Sequence, residues 1–410
     1  MVHKEYVTHP GIGENTSDPV NKNFAGNREK YEVVIVGGGQ AGISLAYYLQ
    51  QRQIPYIILE RDRAFSSWHN RWNGFHTNTP NWMNTLPVID AGTFPGNDPD
   101  GFATREEIVD YFEKCLQEVN PHIRTNTDVY RITQLEGEGW EVDTRDCIYE
   151  ARNVAVCIGA MCTPKVPKAA TDIPNSVPQL HSCEYQNPDQ ITTKSVLLVG
   201  SGSSGVQIGK LLGQSGRFEQ IHLASSDVMV LPERLLGIQT HRLLHFFGLF
   251  DVRKDSIVGK LMYSGLETKG DPIVRPTPRD LAREYAVQLH GRFVGVDGSL
   301  LHFADGQTLA TDDLTVIWCT GFRGDYSFIE TNNRDAAFDK AGNPLHVRGV
   351  VDGARGLYFV GLRYQYTVAS HDIYGVGKDA RHVADHIYQK ERSSAMSHLP
   401  ESEYCVAPLL

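Results

Sequence analysis

Two glycine-rich turns carry the clearest chemical signal in the sequence. Each has the pattern GxGxxG: Gly37–Gly42 reads GGGQAG, and Gly200–Gly205 reads GSGSSG. In this pattern the first glycine permits a tight turn, the second lets a pyrophosphate approach the main chain, and the third lets the following helix pack closely. The free N–H groups at the start of that helix attract phosphates. Both turns therefore predict a bound dinucleotide.

The first turn lies among elements that strengthen this prediction. The apolar, β-branched run Glu32–Val36 predicts a strand before the turn, and Gln40–Gln51 predicts a helix after it. A second strand is predicted over Tyr56–Leu59, and Glu60 follows it directly. A carboxylate at this position can accept hydrogen bonds from ribose hydroxyls. Strand, glycines, helix, strand and acid in this order predict a dinucleotide site.

The second turn has similar surroundings. The run Val196–Val199 predicts a strand before it, and Val206–Leu212 predicts a helix after it. Two such units, about 160 residues apart, predict two doubly wound domains. Later strand-like runs at Thr315–Trp318 and Leu357–Val360, with a last helix from about 377 to 389, predict that the chain returns to the first domain.

The two units differ at the end of their second strand. Ile221–Ala224 is followed by Ser225 and Ser226 instead of an acid. Because no carboxylate there repels a 2′-phosphate and serines can donate to one, the sequence favours NADPH over NADH. Asp227 weakens this argument. Ser225, Ser226 and Arg234 are candidates to contact that phosphate; the equal alternative is that they are exposed loop residues without such a role.

Composition limits the other classes of function. The 410-residue chain has a formal net charge of −10, which argues against a nucleic-acid surface. Its seven cysteines are scattered and form no CxxC pair, so no disulfide framework is predicted. Neither a signal peptide nor an apolar stretch of about 18 residues is found, and we expect a cytoplasmic protein without a membrane span. No metal site is predicted. Self-association remains open.

The residues that carry these signals resemble a known family. The two glycine turns, Glu60 and the run Ile317–Phe322 (IWCTGF) are similar to class B flavin-dependent monooxygenases. Within that family the chain most resembles the bacterial YUCCA-like oxidoreductases, the potassium-transport flavoprotein group. The resemblance covers roughly residues 31–389. It implies that FAD binds at the first turn, NADPH binds at the second, and Thr320-Gly321 links the two domains.

The resemblance also implies a domain organisation. The expected fold is α/β, with two Rossmann-like dinucleotide-binding domains and the NADPH domain inserted into the FAD domain. The expected boundaries are a flexible leader at 1–30, the FAD-binding domain at 31–165, the NADPH-binding domain at 166–322, the return to the FAD-binding domain at 323–395, and a tail at 396–410.

Asn78 is the first candidate catalytic residue. Phe75–Met83 (FHTNTPNWM) resembles the segment in which flavin monooxygenases carry an asparagine facing the flavin and the nicotinamide amide, and Asn78 falls on that position. The asparagine side chain offers both a donor and an acceptor. As an alternative, Asn78 holds a turn before Pro80.

The family fingerprint FxGxxxHxxx(F/W/Y) is only half present. His181 and Tyr185 match its histidine and aromatic positions, whereas Asn175 and Val177 replace the phenylalanine and glycine. This departure argues against the Baeyer–Villiger and N-hydroxylating branches, and the partial form is associated with the YUCCA-like relatives.

The resemblance implies an NADPH-dependent flavin monooxygenase that acts on a small organic substrate with O₂. NADPH would reduce FAD, NADP⁺ would stay bound, and O₂ would add to the flavin C4a carbon as a (hydro)peroxide. The sequence does not choose between amines or sulfides and ketones or 2-oxo acids. A reductase or oxidase of the same fold without oxygen insertion is the main alternative, and a non-catalytic nucleotide sensor is the second.

Two segments are expected to form the substrate walls, Trp68–Trp82 and Arg363–Gly377. His371, in the second of them, is the other candidate catalytic residue. Tyr364 and Tyr366 either face the ligand or pack against the flavin domain. The amphipathic segment His241–Phe250 (HRLLHFFGLF) is expected to pack in a core, with membrane contact or a tunnel wall as alternatives.

The candidate site residues can be given together. The candidate catalytic residues are Asn78 and His371. The candidates for FAD binding are Gly37, Gly39, Gln40, Ala41, Gly42, Glu60, Arg61, Trp68, Thr320, Gly321 and Gly361. The candidates for NADPH binding are Gly200, Gly202, Ser203, Ser204, Gly205, Ser225 and Ser226.

Overall fold

The structure, a computed structural model, describes residues 27–90, 92–159, 161–226 and 228–397. The helices are α1 (Gln40–Gln51), α2 (Ser66–His69), α3 (Arg105–Val119), α4 (Ser203–Ser215), α5 (Thr240–Phe246), α6 (Ile257–Lys269), α7 (Pro278–Tyr285), α8 (Arg334–Ala337) and α9 (Ile373–Ser397).

The strands alternate with these helices along the chain. They are β1 (Asn27–Val36), β2 (Tyr56–Leu59), β3 (Ile123–Arg124), β4 (Val129–Gln134), β5 (Trp140–Thr144), β6 (Cys147–Val156), β7 (Thr163–Pro164), β8 (Gln179–His181), β9 (Ser195–Val199), β10 (Gln220–Ala224), β11 (Arg234–Leu235), β12 (Ile238–Gln239), β13 (Gln288–His290), β14 (Phe293–Asp297), β15 (Leu300–Phe303), β16 (Thr308–Ala310), β17 (Leu314–Trp318), β18 (Phe322–Arg323), β19 (Ile329–Glu330) and β20 (Leu357–Phe359).

The first sheet has the strand order β19-β4-β5-β6-β1-β2-β3, and β20 also pairs with β6. Its centre is parallel, since β1 pairs in parallel with both β2 and β6. The apolar run Val33–Val36 is buried on both faces, as expected for a central parallel strand. Helices α1, α3 and α9 pack on one face through residues such as Leu45, Phe112 and Val383.

The second sheet has the strand order β13-β10-β9-β17-β8, and every pair in it is parallel. Helices α4 and α7 contribute Leu212 and Leu281 to the core on one face. The antiparallel sheet β14-β15-β16 covers the other face and places Phe293 beside Trp318. Parallel sheets covered by helices put the chain in the α/β class, as the sequence predicted.

The chain builds the first sheet, leaves it after β6, forms the second sheet, and returns. Two short strands mark the crossing, because β7 and β18 pair with each other in antiparallel fashion. After the crossing, β19 and β20 join the first sheet, and α9 packs on α1. The carboxyl ends of β1 and β9, where the glycine turns begin, are the edges from which a site can be built.

The boundaries of several elements differ from those predicted. Helix α1 and strand β2 are confirmed. Strand β1, however, begins at Asn27 and not at Glu32, so the boundary of a leader at residue 30 is wrong; residues 1–26 lie outside the described residues. Main-chain pairing continues from Asn27 to Val36 along β6, and Arg28 makes ion pairs with Glu141 and Glu150. The local polarity of Asn27–Lys30 concealed a strand that its neighbours stabilise.

The end of the chain was also predicted too short. Helix α9 extends from Ile373 to Ser397, about three turns beyond the predicted stretch in total. Its apolar positions recur at helical spacing on the first core, and Glu391 near its end receives a hydrogen bond from Asn153. The predicted tail boundary at 396 is therefore too early, and residues 398–410 lie outside the described residues.

The expectation of core packing for His241–Phe250 is wrong in its second half. His241 is buried, but Phe246 and Phe247 are 81% and 69% exposed. Helix α5 ends here, and its last turn faces solvent instead of a sheet. Among the helices of the described ranges, none is both long and apolar enough to cross a bilayer.

The revised start of β1 can be tested with two truncated proteins, one beginning at Asn27 and one beginning at Glu32. The second loses the main-chain pairing of residues 27–31 with β6 and the ion pairs of Arg28 and Lys30. We expect its free energy of unfolding to be lower by about 2–4 kcal/mol. Thermal and urea unfolding of the two proteins give this difference directly, and equal unfolding curves would exclude a stabilising role for these residues.

Candidate active site

The first glycine of each turn lies against the main chain of a neighbouring strand end. Gly37 has φ +107°, and a Cβ there would lie 2.7 Å from the carbonyl oxygen of Cys157. Gly200 has φ +110°, and its Cβ would lie 2.3 Å from the carbonyl oxygen of Cys319. Only glycine combines this backbone conformation with this close approach.

The other two glycines of each turn have different surroundings. A Cβ at Gly42 would lie 2.0 Å from the Gly37 oxygen, and a Cβ at Gly205 would lie 1.9 Å from the Gly200 oxygen. By contrast, a Cβ at Gly39 or Gly202 would have no described atom within 4 Å. The middle glycine of each turn therefore borders open space in front of the helix.

Both helices that follow the turns begin without a side-chain cap. Gly39 is the N-cap of α1 and Gly202 is the N-cap of α4, and neither helix has an acidic residue in its first turn. Their first N–H groups are consequently available to an anion. In α1 these groups belong to a turn that includes Gln40 and the buried Ala41. In α4 the half-buried Ser203 and Ser204 occupy the corresponding positions.

Glu60 lies at the end of β2, next to the first turn. It is 7% exposed, and its Oε2 accepts a 2.6 Å hydrogen bond from the Gly38 N–H. Its Oε1 accepts a 3.0 Å bond from the Asp62 N–H. Each oxygen keeps a second lone pair for a hydroxyl. Arg61, which follows, is exposed.

The corresponding end of β10 is polar but uncharged. Ser225 Oγ donates to Ser201 Oγ at 2.8 Å and lies 2.9 Å from the carbonyl oxygen of Ser226. Ser226 itself is exposed. The Arg234 guanidinium instead donates to Gly237 O within the β11–β12 hairpin, at 3.1 Å. Asp227 lies outside the described residues.

Gln40 bonds two other predicted residues at the first turn. Its Nε2 donates to the main-chain oxygen of His371 at 2.9 Å, and its Oε1 accepts from Trp68 Nε1 at 3.1 Å. Gly361, with φ +87°, comes so close to α1 that a Cβ would lie 3.0 Å from Ala41 Cβ. The segment after β20 is thereby packed against the start of α1.

Asn78 is held across the junction between the two sheets. Its side-chain oxygen accepts a 3.1 Å hydrogen bond from Gln207 Nε2, and Gln207 belongs to α4. Gln207 also bonds both main-chain groups of His76, at 3.0 and 3.2 Å. The turn before Pro80 is closed by other side chains, because Thr77 Oγ1 bonds the oxygen of Thr79. Asn78 therefore faces the helix of the second turn and does not serve its own.

Thr320 and Gly321 form part of the crossing between the sheets. Thr320 Oγ1 donates to the main-chain oxygen of Lys165, whose N–H in turn donates to Gly321 O at 2.9 Å. His181 Nε2 lies 3.1 Å from the same oxygen. The fingerprint histidine thus holds the linking segment from the second sheet.

Residues 228–276, between β10 and α7, reach from the second sheet back to the first; we call them the bridging insertion. On one side, Trp82 Nε1 donates to Gln239 Oε1 at 3.1 Å. On the other side, Tyr374 OH and His245 Nδ1 are 3.2 Å apart. Trp82 and His245 also face each other, with ring centroids 5.2 Å apart. The insertion therefore contacts two segments of the first domain's side, one carrying Trp82 and one carrying Tyr374.

Asp271 fastens the end of this insertion to the segment after β20. Its Oδ1 accepts hydrogen bonds from Tyr364 OH at 2.8 Å and Arg363 Nη2 at 3.0 Å. His371 Nε2 lies 3.8 Å from Asp271 Oδ2 and 3.6 Å from Asp372 Oδ1. The Tyr364 hydroxyl therefore bonds the bridging insertion.

The electrostatics of this cluster follow from its burial and its pairing. Burial opposes charge on His371, but Asp372 and Asp271 outweigh it and raise the histidine pKa above its ordinary value. Burial would raise the pKa of Asp271, yet hydrogen bonding and attraction from His371, with Arg363, hold it well below its usual range. The ion pairing thus shifts the imidazole toward its charged form, which suits a positioned donor better than a base.

Gln207 and Asp271 are site residues that the sequence did not reveal. Each is an ordinary polar residue in its local context, one inside a helix and one after a helix. Their partners, Asn78 and His371, are 129 and 100 residues away along the chain. A polar residue one turn into the helix after a glycine motif is the only local signal for Gln207.

Known proteins share this architecture. A family model described as pyridine nucleotide-disulphide oxidoreductase matches residues 34–222. An uncharacterized CzcO-like oxidoreductase of Geobacillus kaustophilus is 33% identical over 358 residues, 87% of this chain and 98% of the relative. Probable indole-3-pyruvate monooxygenase YUCCA8 of Arabidopsis thaliana is 25% identical, over 84% of this chain and 88% of that protein. The flavin-containing monooxygenase from Stenotrophomonas maltophilia has a TM-score of 0.66 at 23% identity, over 88% of this chain and 99% of that structure.

These similarities confirm the family expected from the sequence. The chain belongs to the class B flavin-dependent monooxygenase family, in its group of CzcO-like oxidoreductases. Membership makes it an enzyme of the oxidoreductase class.

The Asp271 cluster predicts a pH-dependent loss of stability. Replacing Asp271 with Asn removes a partner of His371, Arg363 and Tyr364, and should cost about 1 kcal/mol because the carboxylate is half open to water. Because the histidine pKa is higher in the folded protein, protonation of His371 stabilises the fold. This stabilisation is complete below the unfolded-state pKa of about 6.5 and is lost as the pH rises through the folded-state pKa. The difference between wild type and Asp271→Asn should therefore be larger at pH 6 than at pH 9.

Thermal unfolding at several pH values above 5 measures this difference. The matched control repeats the substitution in a His371→Gln background, where the pH-dependent part should disappear and the constant part should remain. A difference that does not change with pH in the wild-type background would contradict the assigned role of His371.

Proposed function

We propose that the two sheets are two dinucleotide-binding domains, with FAD at the first and NADPH at the second. The FAD-binding domain would comprise residues 27–165 and 323–397, and the NADPH-binding domain residues 166–322. The relatives named as monooxygenases support this assignment.

The residues around the first turn fit FAD. Open space lies in front of Gly39, and the uncapped start of α1 offers N–H groups to a pyrophosphate. Glu60 is placed at the strand end for a ribose. We propose that Gln40, Ala41, Trp68 and Gly361 line the same site, with Arg61 at its exposed edge.

The residues around the second turn fit NADPH. Gly202 borders open space, and the uncapped α4 presents the Ser203 and Ser204 N–H groups. Ser225 and Ser226 replace the acid at the strand end, which supports NADPH over NADH. Arg234 is left out of this proposal, because its guanidinium bonds to Gly237 O within its own hairpin.

The activity we propose is NADPH-dependent oxygenation of a small organic substrate with O₂. The observation that carries it is Asn78, which Gln207 holds at the junction of the two domains with its amide N–H groups still able to donate. When bound, FAD supplies hydride acceptance and oxygen activation. Asn78 would orient the nicotinamide amide and donate to the activated oxygen.

The surrounding side chains would shape the reaction space. We propose that the bridging insertion forms one side of this space, where Trp82, His245 and Tyr374 give an aromatic lining. His371, whose main-chain oxygen bonds Gln40, is assigned a positioning role and not that of a base. A panel of substrates distinguishes whether the enzyme oxygenates amines, sulfides or ketones.

The test begins with anaerobic NADPH added to the purified yellow protein, followed by O₂ and a panel of amines, sulfides and ketones. We expect flavin reduction, then a lag before oxidised flavin returns, and a product heavier by one oxygen atom. Asn78→Ala should slow flavin reduction, because the nicotinamide loses an orienting partner, and should lower the yield of oxygenated product per NADPH at least about tenfold.

The exposed Asn70, on the same segment, provides the matched control, since Asn70→Ala should change neither value. Reduction followed by immediate reoxidation, with all electrons recovered as hydrogen peroxide from wild type, would instead support a reductase or oxidase. Bound FAD without any reduction would support a nucleotide sensor.

The middle glycines allow the two cofactor sites to be tested separately. Gly39 and Gly202 have negative φ, and an added Cβ meets no described atom within 4 Å. Alanine should therefore leave the fold intact and obstruct only an approaching pyrophosphate. We expect Gly39→Ala to lose FAD and Gly202→Ala to keep FAD but weaken NADPH binding about tenfold or more.

Flavin content after gel filtration and the Kd of NADPH measure the two effects, and circular dichroism checks folding. Gly295→Ala is the matched control, because a Cβ at Gly295 also meets no described atom within 4 Å. Gly92 has similar open space but a positive φ, so alanine there would strain the backbone. Loss of both cofactors in both variants would contradict the proposed division.

A further inference from the structure

Gln207 bonds three groups of the segment that carries Asn78, although it belongs to the helix of the second glycine turn. Its Nε2 donates to the carbonyl oxygen of His76 at 3.0 Å and to Asn78 Oδ1 at 3.1 Å. Its Oε1 accepts from the His76 N–H at 3.2 Å. Both N–H groups and the oxygen of the Gln207 amide are therefore used on one segment of the first unit.

The main chain of His76 fixes which end of the Gln207 amide faces Asn78. A main-chain N–H only donates and a carbonyl only accepts, so these two groups cannot exchange roles. The His76 N–H requires Oε1, the His76 carbonyl requires Nε2, and Nε2 is the end that also reaches Asn78. Because Nε2 only donates, Asn78 must turn its oxygen toward Gln207 and its two N–H groups away.

The segment is also bonded along its other edge. The Thr77 N–H donates to the Ala103 oxygen at 2.8 Å, and the Phe75 oxygen accepts from the Arg105 N–H at 3.2 Å. The residue between them directs its own N–H and carbonyl to the opposite side, where the Gln207 amide takes the place of a neighbouring strand. The main-chain groups that orient this amide are thus held independently of it.

Helix α4 carries the Gln207 amide from the second glycine turn to the Asn78 segment. Gln207 lies four residues, about one helical turn, after Ser203, the first residue of the helix. One turn further, Leu211 packs against Gly74, where an added Cβ would lie 2.7 Å from Leu211 Cδ2. The same face of α4 therefore contacts the segment at two successive turns, directly after the N–H groups proposed to bind the NADPH pyrophosphate.

Asn78 keeps its own N–H groups for a ligand. Its side chain is exposed, and within the described residues its Nδ2 donates to no acceptor of the protein. An unrestrained amide can present either its oxygen or its N–H groups, since the two ends have nearly the same size and shape. The bond from Gln207 removes this freedom.

We propose that Gln207 is the positioning residue that turns the donor end of the Asn78 amide toward the cofactors and ties this orientation to the helix that holds NADPH. The inference rests on the proposed function, because it assigns the Asn78 N–H groups to the nicotinamide amide and to the activated oxygen. The donor is then correctly oriented only while α4 and the Asn78 segment stay in contact. Gln207 acts through Asn78 and needs no contact with the reacting atoms.

Two substitutions in the FAD-loaded protein separate this role from packing. Gln207→Glu keeps the size of the side chain but presents only acceptors, so Asn78 must turn its N–H groups toward it and its oxygen toward the cofactors. Gln207→Leu makes no hydrogen bond and leaves the Asn78 amide free to adopt either orientation. The isosteric variant should therefore be more harmful than the apolar one, whereas a packing role predicts the opposite order.

Stopped-flow absorbance measures both proposed uses of Asn78 with saturating NADPH and O₂ alone. We expect Gln207→Glu to slow anaerobic flavin reduction, and to shorten the lag before oxidised flavin returns, by at least about tenfold each. Gln207→Leu should change each value about threefold. Gln214→Glu makes the same substitution at an exposed position of α4 and should change neither. Circular dichroism checks that all variants fold.

A double substitution shows whether the effect passes through Asn78. In an Asn78→Ala background, Gln207→Glu should cause no further change in the reduction rate. An effect that persists in this background, or equal effects of Gln207→Glu and Gln207→Leu, would overturn the proposal. Immediate reoxidation of the wild-type flavin would instead contradict the proposed oxygenation. The reduction rates would then still decide the role of Gln207, since reduction precedes the reaction with O₂.

Discussion

The close approach of two main-chain segments at each glycine turn is the constraint on which the rest of the structure depends. Gly37 lies against the Cys157 carbonyl and Gly200 against the Cys319 carbonyl, at distances that leave no room for a Cβ. Because the turn and the neighbouring strand end share this space, the following helix starts directly over the carboxyl edge of its sheet. The open space at the middle glycine and the unpaired helix N–H groups are consequences of that packing.

Two similar sheets do not by themselves make one site, since relative motion is the ordinary condition of two domains. Three groups of contacts join them here: the β7–β18 pair, Gln207 with the Asn78 segment, and the bridging insertion. Each starts from the second sheet and bonds a segment near the first turn. In the bridging insertion, three side chains of the other unit converge on the Asp271 carboxylate.

The sequence was informative where a function requires a fixed local conformation. Both GxGxxG turns, helix α1 and strand β2 could be predicted because glycine spacing and apolar runs are local properties. The start of β1 and the full length of α9 could not, since Asn27 and Glu391 are held by partners distant in sequence. The same reason hid Gln207 and Asp271. For Phe246 and Phe247, the amphipathic pattern indicated an apolar face correctly but could not tell whether another element covers it.

The two turns are nearly identical, so any difference in what they bind must come from the strand ends beside them. At the first, Glu60 is buried and uses one oxygen on the Gly38 N–H, which fixes a negative charge beside the turn. At the second, Ser225 and Ser201 bond each other, and hydroxyls can reverse donor and acceptor roles at little cost. A fixed carboxylate favours ribose hydroxyls and repels a phosphate there, whereas the serine pair does neither. A different side chain at an equivalent position would thus give two copies of the same turn different preferences, which supports the proposed order of FAD first and NADPH second.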